Sequence, residues 1–205
     1  FKDKFLNEVQ FDHELAKFTW FRVGGRAEIL FIAEDLMSLS NFLNNKPKEL
    51  NLLIIGAGSN LLIRDKGFKG IVVLTKKLNN INIDENQIIT AEAGAIDADV
   101  ARFARNNVRG GLEFLLGIPG TIGGGIRMNS GAFGSEFKDV LIDVKAINHS
   151  GKFRTFTNKE LGMSYRSIKI SEEWIFCSAR FQTFKDQKIN IENKMKQIIA
   201  LRREA

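Results

Sequence analysis

The sequence predicts an α+β protein with mixed sheets, and three observations carry that expectation. Short runs rich in Ile, Val, Leu and Phe recur between turn residues, as strands do. Three other stretches repeat their apolar residues at helical spacing. The two patterns are interleaved along the chain, yet the runs 52–55 and 61–63 stand only a few residues apart, too close for a crossover helix between parallel neighbours.

In chain order, strands are expected at Glu28–Ala33, Leu52–Ile55, Ile71–Leu74, Ile88–Ala91, Val140–Ile147 and Trp174–Phe184, each an apolar run bounded by turn residues. The first expected helix, Asp35–Asn44, gathers Leu36, Leu39, Phe42 and Leu43 on one face. The second, Asp97–Asn106, gathers Val100, Phe103 and Ala104, and the third covers Ile189–Arg203. Asp35 and Asp97 stand where N-caps belong, since a short carboxylate accepts from the unpaired amides of a first turn. Residues 79–86 are polar enough for a surface turn between two subdomains. The expected organisation is residues 1–78, residues 79–188, and a helix over residues 189–205.

Composition narrows the classes. With 205 residues, 44% hydrophobic and 26% charged, the chain can bury a sizeable core, which excludes a disordered or collagen-like protein. The longest uncharged stretches, Leu50–Ile63 and Phe114–Ile126, fall short of about 18 apolar residues and contain Gly, so a soluble protein without membrane contact is expected. Thirty basic against 24 acidic residues leave a charge of +6, but Lys and Arg are scattered and form no basic arm. That argues against nucleic acid and for anionic small ligands. A single Cys excludes a disulfide framework and no charged-then-apolar leader opens the chain, so a cytoplasmic protein is expected. The chain opens on Phe1 and closes on the helix-patterned Ala205, as if trimmed at both ends.

Two Gly-rich segments stand out. The first is Gly56-Ala57-Gly58-Ser59-Asn60-Leu61, which follows an apolar strand. Its glycines allow successive amides to converge on an anion, with Ser59 and Asn60 adding side-chain donors. It lacks the third Gly and following helix of the doubly wound dinucleotide fingerprint, and it reads equally as a tight turn between strands. The second runs from Gly117 to Gly134, with seven Gly in eighteen residues and almost no charge. Backbone of this kind can press against a flat ligand or form a close helix crossing. Pro119-Gly120 signals a turn, and Thr121 is positioned to cap a short helix whose first amides would face a pyrophosphate.

With three further stretches, these segments resemble the UDP-N-acetylenolpyruvoylglucosamine reductase family of peptidoglycan precursor synthesis. The matching residues are Thr19-Trp20-Phe21-Arg22-Val23-Gly24-Gly25-Arg26-Ala27, Gly56-Ala57-Gly58-Ser59-Asn60-Leu61-Leu62, Gly117-Ile118-Pro119-Gly120-Thr121-Ile122-Gly123-Gly124, Met128-Asn129-Ser130-Gly131-Ala132-Phe133-Gly134 and Ser164-Tyr165-Arg166-Ser167, in the family's order. The resemblance implies the vanillyl-alcohol-oxidase-like (PCMH-type) FAD-binding fold, with FAD between two α+β subdomains. It implies that Gly56, Ala57, Gly58, Ser59, Asn60 and Leu61 hold the pyrophosphate. Gly117, Ile118, Pro119, Gly120, Thr121, Gly123, Gly124, Ser130, Gly131 and Ala132 are implied to line the rest of the cofactor. No His or Cys lies in the pyrophosphate loop, so the FAD is expected to be non-covalent.

The implied reaction consumes NADPH and reduces the enolpyruvyl ether of a UDP-sugar, with a cation stabilising the enolate that develops beside the substrate carboxylate. Arg166 matches the family's catalytic Arg, and its planar fork suits both carboxylate oxygens. Tyr165, the only Tyr, is expected to bind substrate beside it. Without the family, Arg166 reads as an ordinary surface Arg in a salt bridge. The family's Ser acid and C-terminal Glu are expected beyond the final segment, Ala200-Leu201-Arg202-Arg203-Glu204-Ala205, in a substrate-binding domain. Gly134-Ser135-Glu136-Phe137-Lys138-Asp139 only imitates the Ser motif. Another flavin oxidoreductase of the same fold, or a nucleotide-binding module without chemistry, are the rival readings, and a monomer is favoured. His13 and His149 are expected to be exposed, Cys177 to be a core residue, Glu113 to fix the second Gly-rich segment, and no metal is expected.

Overall fold

The computed structural model describes Phe5 and residues 8–204. Residues 1–4, 6, 7 and 205, which the expected domain limits include, lie outside the described residues. Two sheets carry the fold. The first is built from β1 (Val9–Glu14), β2 (Arg26–Ile32), β3 (Leu52–Ile55) and β4 (Phe68–Leu74) in the order β1-β2-β4-β3. Here β1 runs antiparallel to β2, whereas β2 and β3 both pair parallel with β4. α1 (Leu36–Asn45) makes the crossover from β2 to β3, and its Leu39, Phe42 and Leu43 are buried as the periodicity predicts. Phe42 stacks on Phe31 of β2 with ring centroids 3.8 Å apart. Asp35 accepts from the Ser38 amide at 2.7 Å and completes a capping box, so this predicted cap is present.

The expected pairing of residues 52–55 with 61–63 is corrected. Residues 61–63 are not a strand, and β3 pairs with β4 instead. Leu62 is 69% exposed, while Ile63 packs against Gly24 and Leu61 against the cluster of Leu15 and Ile55, so this apolar run serves packing at two residues and makes no ladder. The parallel pair is joined by residues 56–67 alone, about the minimum span for such a crossover and without a helix.

The second sheet contains β5 (Ile81–Ile83), β6 (Ile89–Glu92), β10 (Leu141–Asn148), β11 (Phe153–Thr157) and β12 (Trp174–Phe181), ordered β11-β10-β12-β6-β5 and antiparallel throughout. The polar stretch 79–86 therefore holds an edge strand as well as a turn, since short polar strands are tolerated at an edge. β7 (Arg109–Gly110) pairs with β13 (Phe184–Lys185), and β8 (Gly131–Ala132) with β9 (Ser135–Glu136). α2 (Asp97–Asn106), α3 (Ile122–Arg127), α4 (Phe137–Val140), α5 (Asn158–Leu161) and α6 (Lys188–Glu204), with short 3-10 helices at Ala16–Phe18 and Glu113–Gly117, complete the elements.

The sheets share buried side chains. Ile147, Ile175 and Cys177 of the second sheet join Phe31, Ile71, Val73 and the α1 residues in one cluster. Cys177 is fully buried, as expected, and burial pushes its thiol up to about 12. His13 and His149 are half-buried rather than exposed: His13 lies beside Phe18, and burial first, then Lys46, lowers the His149 pKa. No described helix is long and apolar enough to cross a membrane.

Candidate functional site

β3 feeds directly into residues 56–61, and the shape of this loop follows from contacts on both sides. Gly58 has φ +64°, and a Cβ there would stand 2.1 Å from the Phe18 carbonyl oxygen, so only Gly fits. The Gly58 carbonyl accepts from the Trp20 amide at 3.1 Å, tying the loop to the Thr19–Ala27 stretch. On the other side, a Cβ at Gly56 would be 2.1 Å from Thr121 Oγ1, and Asn60 Nδ2 donates to Met128 Sδ at 3.4 Å. The two Gly-rich segments, sixty residues apart in sequence, thus face each other. Among the described residues, the amides of residues 57–61 have no hydrogen-bond partner. Successive unpaired amides are what an anion cradle of the kind the composition suggested would need.

A cavity of about 380 Å³ lies between the segments. Gly56, Ala57, Gly58, Ser59, Asn60 and Leu61 line it from one side, Ile118, Pro119, Gly120, Thr121, Gly124 and Ser130 from the other, and Arg166 joins them. The remaining residues of the expected set lie elsewhere. Gly117 packs beneath the Phe133 ring, and Gly123 lies on Ala93 in an adjoining cavity. Gly131, Ala132 and Tyr165 line a second cavity, which also includes Arg166. Arg166 is therefore common to both spaces.

Thr121 does precede α3, but its side chain caps nothing. The first two amides of α3 donate to the Ala95 and Ala93 carbonyls, at 3.0 and 2.8 Å for Ile122 and Gly123. They are already used, so of the first α3 amides facing the cavity only that of Gly124 is without a hydrogen-bond partner among the described residues, beside those of the 57–61 loop. Asp97 is also corrected. It is the first residue of α2 rather than its cap, makes no cap bond, and lines the cavity fully buried.

Arg166 sits in a tight turn. Ser164 and Ser167 exchange main-chain hydrogen bonds at 2.9 and 3.1 Å, leaving Tyr165 and Arg166 at the tip. Arg166 adopts φ +54°, a left-handed conformation that costs a non-Gly residue about 1–2 kcal/mol. Buried Asn129 holds the turn: its Nδ2 donates to the Ser164 carbonyl at 3.0 Å and to Glu136 Oε2 at 2.7 Å, while its Oδ1 accepts from the Lys138 amide at 3.0 Å. Hydrogen bonds from Lys138 and Asn129 hold the Glu136 carboxyl below its ordinary range. The Gly134–Asp139 look-alike motif thus belongs to this support. Among the described residues the Arg166 guanidinium has no ion pair or hydrogen bond, unlike Arg127, whose guanidinium binds the Ile170 and Trp174 carbonyls over the Phe176 ring. Tyr165 is 83% exposed beside it.

Glu113 accepts from the Gly111 amide at 2.8 Å and lies 3.6 Å from Lys194, so its partners stand outside the Gly117–Gly134 segment it was expected to fix. No group of three or more metal-ligating side chains occurs among the described residues. Asp97, Asn129 and Arg127 escaped the sequence reading as site residues. Asp97 carried the pattern of a cap, and nothing local distinguishes the other two, whose partners lie up to 47 residues away.

The geometry suits a flat dinucleotide: Gly-lined walls for close backbone approach, five free amides for phosphate oxygens, and an unpaired cation shared with a second cavity. The comparisons agree. The family model described as FAD binding domain matches residues 30–157. UDP-N-acetylenolpyruvoylglucosamine reductase of Rickettsia canadensis is 42% identical over 197 residues, covering 95% of this chain and 66% of that protein. The Rickettsia akari protein of the same name is 43% identical over 192 residues, covering 93% and 65%. The chain thus spans just under two thirds of the length of these curated relatives. Among solved structures, UDP-N-acetylenolpyruvylglucosamine reductase (MurB) from Thermus caldophilus superposes with a TM-score of 0.82 at 28% identity, covering 97% of this chain and 70% of that one. At 16% identity and a TM-score of 0.67, 6-hydroxy-D-nicotine oxidase from Arthrobacter nicotinovorans shares the fold alone over 87% of this chain and 42% of its own. By its match over residues 30–157 the chain belongs to the FAD binding domain family, and within it the resemblance is to the FAD-binding part of UDP-N-acetylenolpyruvoylglucosamine reductases.

Proposed function

We propose that this chain is the FAD-binding part of an enzyme that uses NADPH to reduce the enolpyruvyl ether of UDP-N-acetylglucosamine to UDP-N-acetylmuramate, in peptidoglycan precursor synthesis. The observation that carries the reading is the unpaired Arg166 guanidinium, common to the Gly-lined cavity and to the space beside Tyr165. In this reading residues 1–78 and 79–188 are subdomains flanking the cofactor, and residues 189–205 lead toward a substrate-binding domain.

When bound, FAD would supply the redox chemistry of hydride transfer from NADPH to the vinyl carbon, and the proton for the second carbon would come from the Ser acid of the substrate-binding domain. The amides of residues 57–61 hold the FAD diphosphate, with Ser59 and Asn60 adding side-chain donors. Gly120, Thr121, Gly124 and Ser130 face the rest of the cofactor. Arg166 receives the substrate carboxylate on its two-pronged fork and stabilises the charge that spreads into it as the double bond is reduced. Because that charge is larger in the transition state than in the ground state, the guanidinium accelerates the step rather than only tightening binding. The left-handed turn and Asn129 hold the cation in place without a competing carboxylate, which would otherwise neutralise it.

Replacement of Arg166 by Ala in the complete enzyme tests the assignment. Turnover is expected to fall on the order of 10²–10³-fold, with flavin retained. Near-normal turnover would falsify the role.

A further inference from the structure

Asp97 is a buried acid that the proposed reaction does not use. Its side chain is fully buried, and neither carboxyl oxygen has a hydrogen-bond partner. Its amide donates to the Gly120 carbonyl at 3.2 Å, which pins the start of α2 to the second Gly-rich segment. A Cβ built on Gly120 would lie 2.9 Å from Asp97 Oδ2 and 3.8 Å from Ser59 Oγ, so the acid stands close to the phosphate-type loop across Gly120. It lines the same cavity as the free amides of residues 57–61.

An ionised carboxylate in this position would be buried without a donor and would repel a ligand diphosphate. A neutral carboxylic acid has neither fault and carries one O–H donor. We infer that Asp97 keeps its proton and donates a hydrogen bond from it to an oxygen of the FAD diphosphate, so that FAD is held more tightly while Asp97 is protonated. This rests on the reading of residues 57–61 as the diphosphate cradle.

The surrounding charges leave the acid to itself. On its own helix Asp99 pairs with Arg102, and Arg105 binds Asn106. From the elements packed on α2, Glu113 lies by Lys194, Arg109 binds Thr183, and Arg202 reaches the Leu116 carbonyl. Of the cavity's two cations, Arg127 is held by the Ile170 and Trp174 carbonyls, and Arg166 makes no ion pair with Asp97. Burial alone raises the Asp97 pKa from 3.8 to about 8. Below that value the donor is present, and above it the proton is lost.

FAD titrated into the cofactor-free chain, followed by flavin fluorescence from about pH 6 to about pH 9.5, reads this linkage without any turnover. Affinity is expected to be flat below about pH 8 and to fall about tenfold per unit above it. In Asp97→Asn, whose amide donates at every pH, affinity at pH 7 should stay within about threefold of the parent and the profile should be flat. Asp97→Ala should bind about tenfold more weakly and also flatly. Tight FAD binding by the parent that stays level through pH 9.5 overturns the inference and leaves the cofactor site intact, as does Asp97→Ala binding like the parent. Absence of FAD binding by the parent at every pH overturns the cofactor reading itself. Should Asp97→Ala fail to fold, the contrast between the parent and Asp97→Asn profiles decides alone.

Discussion

Two aspartates begin two ten-residue helices, and they behave as opposites. Asp35 is exposed before α1, accepts from the Ser38 amide, and its own amide is met by Ser38 Oγ at 3.3 Å. Asp97 is the first residue of α2, fully buried with both oxygens unpartnered, beside a Gly-lined cavity. One contributes to stability through local hydrogen bonds that four consecutive residues define. The other is set by segments twenty and more residues away, and it burdens the fold. A helix-start pattern therefore announces a carboxylate near free amides but not whether those amides are the helix's own.

Three substitutions sharpen this contrast, in decreasing order of effect. Asp97→Asn should stabilise the cofactor-free protein by about 5 kcal/mol near pH 8, the linkage of a carboxyl moved from 3.8 to about 8 at roughly 1.4 kcal/mol per unit. Its sign follows from linkage. Between about pH 4 and pH 8 the unfolded chain has released the Asp97 proton while the native state retains it, so native stability falls as pH rises through that window. The advantage of the variant should thus vanish near pH 4 and grow to about pH 8 in urea unfolding curves; a pH-independent difference would contradict it. Asp35→Ala should do the reverse, losing about 1 kcal/mol in the same assay at pH 7. Ser38→Ala removes only the reciprocal half of the capping box, and its urea midpoint should drop by the equivalent of a few tenths of a kcal/mol.

Much of the frame was legible because it is local. The α1 face, the 52–55 strand and the Asp35 cap are all decided within a few residues, and each is present. Both Gly-rich segments announced themselves by composition, and twelve of their sixteen expected residues share the central cavity. What escaped is long-range. The run 61–63 looks like a strand because its side chains are apolar, yet the partner that β3 takes is β4, nineteen residues on in register. The first two α3 amides looked free until residues 95 and 93 supplied their acceptors. The Arg166 turn owes its anchor to Asn129, thirty-five residues earlier, a distance no periodicity encodes.

The helix-free link between β3 and β4 has a consequence for folding and recognition alike. Because residues 56–67 are the whole crossover, the first sheet cannot pair β3 with β4 without drawing the cradle into a closed loop. The entropy of ordering that loop is met when the sheet forms rather than when a ligand arrives. The free amides are thus set out in advance, as a receptor whose geometry is inherited from strand registry.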